Sequence, residues 1–481
     1  QVGVDDTELG RFLDRKLSAH QPLRDAIVDP RLPLQLAMQL AKTCLIPIPM
    51  FLSRALPLRV TRQRLLTFDS ALRDSLAARM NLPVPLPVSA SLSYSQPIGN
   101  GGRGFRSLGL IVAAAKWASA AAASFDVEHF AAAADSALPF VLDREAAFAA
   151  LVALGVQVAD PDFERASLKV LPPAASDLVG YYGSAPWVPG LQHALSVQVE
   201  TAQLKRFLSG SDSTLQDVVR FCSTKNRYTS RFLSTSHLVT HMRDAAVTLA
   251  VRLRDGLPPA DRLPTNCWLG KCKADVQTNP WHCLSCPALK CLSIYRRHNF
   301  VVSLLLEFAR SHSCHAHEIK KDLADRLPDG VIHFANKTVF FDVSGVSPSC
   351  PSYCGQEPGE AIRGRERSKT TKYFNFARDR DCAFVPFVLD SFGTLGPRAL
   401  ALVDSIVEES AFDLAGPAFL SKTDFLTRLS RVWQTGNACI YREWAKEMRE
   451  TKGKYLGLCR APSASLPSPV LPAVPGAEVA F

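Results

Sequence analysis

The sequence has no run of about 20 apolar residues free of charge, which argues against a membrane span. It has no signal peptide, and its first residue is Gln, which predicts a piece of a longer product. It has no internal repeat, which argues against a solenoid or propeller. Acids are in deficit: 45 Asp and Glu stand against 55 Lys and Arg, a net charge of +10. Such a balance favours a polyanionic partner, nucleic acid first and an acidic membrane surface second. Charged residues make up only 21% and hydrophobic residues 47%, so the chain can bury real cores. At 481 residues it has room for two to four domains.

Cysteine, by contrast, is abundant and uneven. There are 13, an odd count, and five fall between Cys267 and Cys291. A secreted disulfide scaffold would spread and pair them; clustering in a large chain points to a metal site in a reducing compartment. The stretch "CWLGKCKADVQTNPWHCLSC" offers Cys267, Cys272, His282 and Cys286, the soft and borderline donors that tetrahedral Zn²⁺ takes. The first pair is widely spaced, and Cys283, Cys291 and His298 are spare candidates. Buried free cysteines with a surface histidine are the alternative. A closed four-ligand site has no open position, so its role is folding or nucleic-acid contact rather than catalysis.

The pattern along the chain is mostly helical. Short helices are expected over 7–20 and 23–28, then an amphipathic helix after Pro33, broken by "IPIPMFLSRALPLRV". A longer helix covers "TRQRLLTFDSALRDSLAARMNL". Residues 83–97 are rich in Pro and Ser and predict a loop. The Gly-rich turn 99–109 feeds an Ala-rich helix; it lacks the Lys-Ser/Thr of a phosphate cradle. Residues 125–255 have a helical pattern with loops near 171–190 and 208–214, and the clearest helix is 237–257. Further helices are expected over 296–312, 361–378, 396–413 and 421–450, and "CAFVPFVLDSFG" predicts a buried strand. The tail "RAPSASLPSPVLPAVPGAEVAF" has a disordered composition.

The stretch "LPDGVIHFANKTVFFDVSG" raises a chemical question. Two apolar runs each carry one acid, Asp329 and Asp342, thirteen positions apart. The gap fits a strand, a tight turn at 335–337 and a second strand, so a hairpin brings the acids together at the sheet edge. Like charges that close are costly unless a cation lies between them. Paired carboxylates holding Mg²⁺ or Mn²⁺ suit phosphodiester hydrolysis. Such a site needs a lysine, and residue 344 is Ser. The nearest basic supply is 361–380, with seven Lys and Arg against two acids. Lys369 and Lys372 share a helix face with Arg365, while Tyr373 and Phe376 form an apolar side. A solvated charged face is the alternative. Glu318, in "HAHEIKK", is an optional third ligand or a surface acid beside Lys320 and Lys321. His315 and His317 are expected to be exposed.

These residues resemble the restriction-like endonuclease of site-specific non-LTR retrotransposons, a branch of the PD-(D/E)XK superfamily. "LPDGV" matches the Pro-Asp motif through Pro328 and Asp329, and "VFFDVSGV" matches the second acidic strand through Asp342. In that branch the lysine moves to the following helix, as a K..KY motif: here Lys369, Lys372 and Tyr373. "FVPFVLDSFGTLGP" resembles the closing strand, and "HCLSC" with "RRHNFV" resembles the zinc knuckle and the next helix. Roughly 30–110 is similar to the region after the polymerase palm. No Tyr/Phe-x-Asp-Asp motif is present.

The resemblance implies a multidomain α plus α/β protein: a thumb-like helical region (1–110), a helical linker (111–260), a zinc knuckle (261–292), a mixed-sheet restriction-endonuclease-like domain flanked by helices (293–455) and a disordered tail (456–481). It implies a DNA endonuclease that nicks double-stranded target DNA for target-primed reverse transcription, working in the nucleus with element RNA and an N-terminal polymerase part. Asp329, Asp342, Lys369, Lys372 and Glu318 would form the catalytic set, with Mg²⁺ or Mn²⁺ and Zn²⁺ as cofactors. Arg296, Arg297, Arg363, Arg365 and Arg367 would hold nucleic acid. A non-cleaving binding module and a resolvase-like nuclease are the rival readings.

Overall fold

The computed structural model describes residues 5–131, 138–156, 190–226, 228–233, 242–319, 327–350, 352–353, 356–410 and 420–451. The expected loop at 171–189, Lys320, Lys321 and the tail at 456–481 lie outside them.

The architecture is mixed: many helices and one small four-stranded sheet. The first helices are α1 (Asp6–Ser18), α2 (Gln21–Val28), α3 (Leu34–Leu40), α4 (Pro47–Ala55), α5 (Leu58–Arg79) and α6 (Val88–Ser95). The loop expected at 83–97 therefore contains α6. Pro83, Pro85 and Pro87 lie before the helix, with Pro87 at its N-cap, and Pro97 lies after it, so none interrupts it. The break expected at 46–60 is likewise helical. A π turn at Ala41–Leu45 joins α3 to α4, whose prolines Pro47 and Pro49 fall in its first turn. The resulting run Leu34–Ala55 is long and apolar enough to cross a membrane, by length and composition alone, contrary to the sequence expectation. In this fold Leu34, Ala37, Met38, Ala41 and Leu45 are buried in the protein core.

Then come α7 (Leu108–Ala131), α8 (Leu138–Ala153), α9 (Leu191–Ser209), α10 (Leu215–Thr224) and α11 (Asp244–Arg254). One cluster of buried side chains runs from Ile27 through Leu65, Trp117, Leu195 and Val251 to Cys267 and Trp281.

The second core belongs to the sheet. Helix α12 (Leu292–Arg310) leads into β1 (His315–Glu318), β2 (Gly330–His333) and β3 (Thr338–Val346). Helix α13 (Glu360–Arg378), begun by Gly359 at φ +84°, crosses to β4 (Ala383–Asp390). Strands β1, β2 and β3 are antiparallel neighbours, and β3 pairs with β4 in parallel. Pro386 is tolerated because β4 is the outer strand of the sheet among the described residues, and at Pro386 it pairs only with β3.

Alternation divides the sheet into two faces. Ala316, Ile332, Phe341, Val343, Phe387 and Leu389 face a core built with α12, α14 (Pro397–Ser410) and α15 (Lys422–Thr451). On the other face α13 covers β3 and β4: Phe376 meets Phe340 edge-on and Tyr373 packs on Phe384. Helix α15 joins the two cores. Its Phe425, Leu429 and Trp433 enter the sheet core, and its Ile440, Trp444 and Met448 enter the helical one.

Candidate active site and metal centre

The hairpin forms with the expected turn, but the acids are not at the sheet edge. Strands β2 and β3 are the inner pair of the order β1-β2-β3-β4. Gly330 pairs with Phe341, and Asp329 N–H donates to the Phe341 carbonyl at 2.9 Å. Continuing that register sets Asp329 opposite Asp342. Both are only 3% exposed. Gly330 is required beside them, because a Cβ there would lie 2.6 Å from the Phe341 ring.

Each carboxylate is held by neighbours. Asp329 Oδ2 accepts from Val343 N–H at 2.7 Å and from His298 Nε2 at 2.9 Å. Asp342 Oδ2 lies 2.7 Å from Lys369 Nζ, and its Oδ1 accepts from the Tyr373 hydroxyl at 2.6 Å. Lys372 Nζ in turn donates to the Tyr373 oxygen at 2.6 Å. Burial pushes the Tyr373 phenol far above its usual range, and the Asp342 carboxylate adds to the shift. Tyr373 therefore remains a neutral donor to Asp342.

These groups line a cleft of about 540 Å³, together with Arg365, Ser344, Arg297 and Trp433. The Arg365 Nε and Ser344 hydroxyl are buried and have no hydrogen-bond partner among the described residues. Unmet donors facing a cleft suit an anionic oxygen. A larger cavity of about 600 Å³ among the N-terminal helices is lined by Lys42, Arg54 and Arg106 and has no acid in its lining.

The structure places several of the expected site residues away from the acid pair or in packed positions. Glu318 pairs with Gly330, one position out of phase with Asp329, so the pleat sends its side chain to the opposite face. It is exposed and forms no cluster with the two aspartates. Arg363 and Arg367 turn away from the cleft to an exposed ion pair with Glu360. Arg297 is packed rather than displayed: its guanidinium stacks 4.1 Å from the Trp433 ring and donates to Asn437. Burial lowers its pKa to about 10. Arg296 is exposed on α12.

His298 also leaves its expected place. Named as a spare zinc ligand, it instead contacts Asp329. Its neighbour in sequence faces Trp433, and nothing in the local pattern tells which of the two meets the acids. The hydroxyl of Tyr373 was similarly hidden, since an apolar helix side accounts for the ring but not for its bond to Asp342.

The cysteine cluster assembles as a compact group. A bridge between Asn266 and Asp275, with Cys267 N–H donating to Ala274 at 2.8 Å, makes a small hairpin. Gly270, at φ +53°, turns the chain between Cys267 and Cys272. A 3₁₀ turn at His282–Leu284 returns His282 and Cys286 to the same point. Cys267 and Cys286 sulfurs are 3.8 Å apart, and Cys272 Sγ is 3.2 Å from His282 Nε2. All four donor atoms lie within 4.8 Å of one another. A tetrahedron with metal–sulfur bonds of about 2.3 Å has S–S edges of about 3.8 Å, so the set fits a metal such as zinc. The spare Cys283 is buried and burial pushes its thiol far up; Cys291, raised to about 11, lies at the start of α12. Neither belongs to the four-atom group.

Together the structure presents a mixed α/β unit carrying a buried, cation-flanked acid pair, joined to a helical region through a Cys/His cluster that could hold a metal. No protein-family model matches this chain, and no curated protein matches it.

Proposed function

We propose that the chain is a metal-dependent DNA endonuclease that nicks one strand of duplex DNA, as its resemblance to the restriction-like endonucleases of non-LTR retrotransposons implies. The observation that carries this reading is Lys369 against Asp342, with Asp342 opposite Asp329, at the floor of a basic cleft. Asp329 and Asp342 would hold Mg²⁺ or Mn²⁺; two hard carboxylates, both facing the cleft, fit such an ion. When bound, that ion supplies charge stabilisation at the phosphate and a more acidic water.

The chain's own residues do the rest. His298 holds Asp329 in one orientation, and Tyr373 holds Asp342. Lys369 places a positive charge beside the reacting phosphate or its attacking water. Arg365 and Lys372 grip the backbone. The Cys/His centre holds Zn²⁺ in a structural role, and target-primed reverse transcription with element RNA and a polymerase part would follow the nick. The test is relaxation of supercoiled plasmid by the purified chain in Mg²⁺ and in chelator. Metal-dependent open circles support the reading.

One observation favours a second reading. Lys369 and Tyr373 already satisfy Asp342, as a purely structural ion pair would. A binding module without cleavage would retain plasmid binding and leave every plasmid supercoiled.

A further inference from the structure

The face of the sheet that carries the acids also carries three histidines. His315 pairs directly with His333 across β1 and β2. His317 lies two residues along β1 on the same side. Their ring centroids are separated by 5.4, 5.4 and 5.7 Å. One ring nitrogen from each lies within 4.8 Å of the others. His315 and His317 are exposed and His333 half-buried. The packing explains the exposure, since α13 covers β3 and β4 on this face.

We infer that His315, His317 and His333 form a second, solvent-facing site for a borderline divalent cation, Zn²⁺ above others. Three imidazoles are the donor set of an open zinc site, with a fourth position left for water or an external ligand. Imidazole nitrogen excludes Mg²⁺ in favour of the later transition metals. An N₃ set around zinc needs donor separations of about 3.3 Å, from metal–nitrogen bonds of about 2.0 Å. Exposed rings reach that by side-chain rotation.

A second observation supports the assignment. His333 Nδ1 lies 3.1 Å from Thr338 Oγ1, which leaves Nε2 as the ligand atom and fixes the ring. His317 pairs with Val331, two positions from Asp329, so roughly 8 Å of backbone separates the nearest of these histidines from the acid pair, and roughly 13 Å separates His333 from it. It is a different centre. Bound metal would also tie the outer strand β1 to β2.

The test is equilibrium dialysis of Co²⁺ against the full chain with its Cys/His centre loaded, in excess Mg²⁺ to occupy the acid pair. The visible absorption of Co²⁺ reports its coordination. Wild type should take up one further Co²⁺ per chain, without a thiolate charge-transfer band. His315→Gln, His317→Gln and His333→Gln should each weaken that uptake by roughly tenfold or more. Thermal melting checks the fold. If His333→Gln melts early, the two exposed positions carry the test. No further uptake by wild type, or equal uptake by the His315→Gln and His317→Gln variants, overturns the inference.

Discussion

The Lys369 ammonium lies 2.7 Å from Oδ2 of Asp342, and both side chains are largely withdrawn from water. The pair gives Asp342 a structural role beside its proposed chemical one. Removing one partner of such a pair leaves the other charge uncompensated, at a cost of about 3–5 kcal/mol when fully buried. Lys369 keeps some exposure, so Asp342→Ala should lose less than that, measurable as a lower denaturant midpoint. Asp342→Asn keeps the shape and the acceptor for Tyr373, and should lose less still. Equal midpoints for wild type and Asp342→Ala would show that the ion pair contributes nothing to the fold.

His298 should act by positioning. It reaches Asp329 from α12 and is one-third exposed, so its loss disturbs little packing. His298→Ala should lower the nicking rate by roughly 10–100-fold, as loss of an outer partner of a metal-binding group does. DNA affinity should hold, and raising Mg²⁺ should recover part of the rate. A rate loss that no Mg²⁺ concentration relieves would argue against this role.

The arginines of α13 should divide. Arg365 lines the cleft with an unmet Nε, whereas Arg363 is tied to Glu360 outside it. Arg365→Ala should weaken DNA binding across sequences and reduce the salt slope by about one. Arg363→Ala should change neither by much. Fluorescence anisotropy over a salt series distinguishes them.

Asp390, at the end of β4, supplies a pH dependence. Burial raises its pKa from 3.8 to about 7, against the lowering effect of its bonds from Thr394 and Phe392. Between those values the folded state holds a proton that the unfolded state has lost. The corresponding stability is full below about pH 4 and is lost as pH rises through about 7. Asp390→Asn should therefore flatten the stability profile between pH 4 and 8, gaining on wild type toward the alkaline end. Parallel profiles in urea melts would contradict this.

Much of this is legible in the amino-acid sequence. The hairpin of β2 and β3 followed from two apolar runs around a tight turn, and the Cys267, Cys272, His282, Cys286 set followed from donor type and spacing. Helix α6 was not legible, because the prolines around it resemble loop signals until their position at and before its N-cap is known. The facing of Glu318 depended on register, which one residue of offset reverses. His298 and Tyr373 depended on contacts between α12, α13 and the sheet, which no local pattern encodes. The triad of His315, His317 and His333 needed the pairing of β1 with β2.

The central claim is that Asp329 and Asp342 form one metal-dependent nicking centre. The most direct measurement is single-turnover nicking of supercoiled plasmid in Mg²⁺ by wild type, Asp329→Asn and Asp342→Asn, each first shown to be folded and to bind DNA. The account predicts open circles from wild type and a loss of about 10²-fold or more in both variants, with DNA affinity unchanged. Nicking retained in either variant, or none from a folded, DNA-binding wild type, would contradict it.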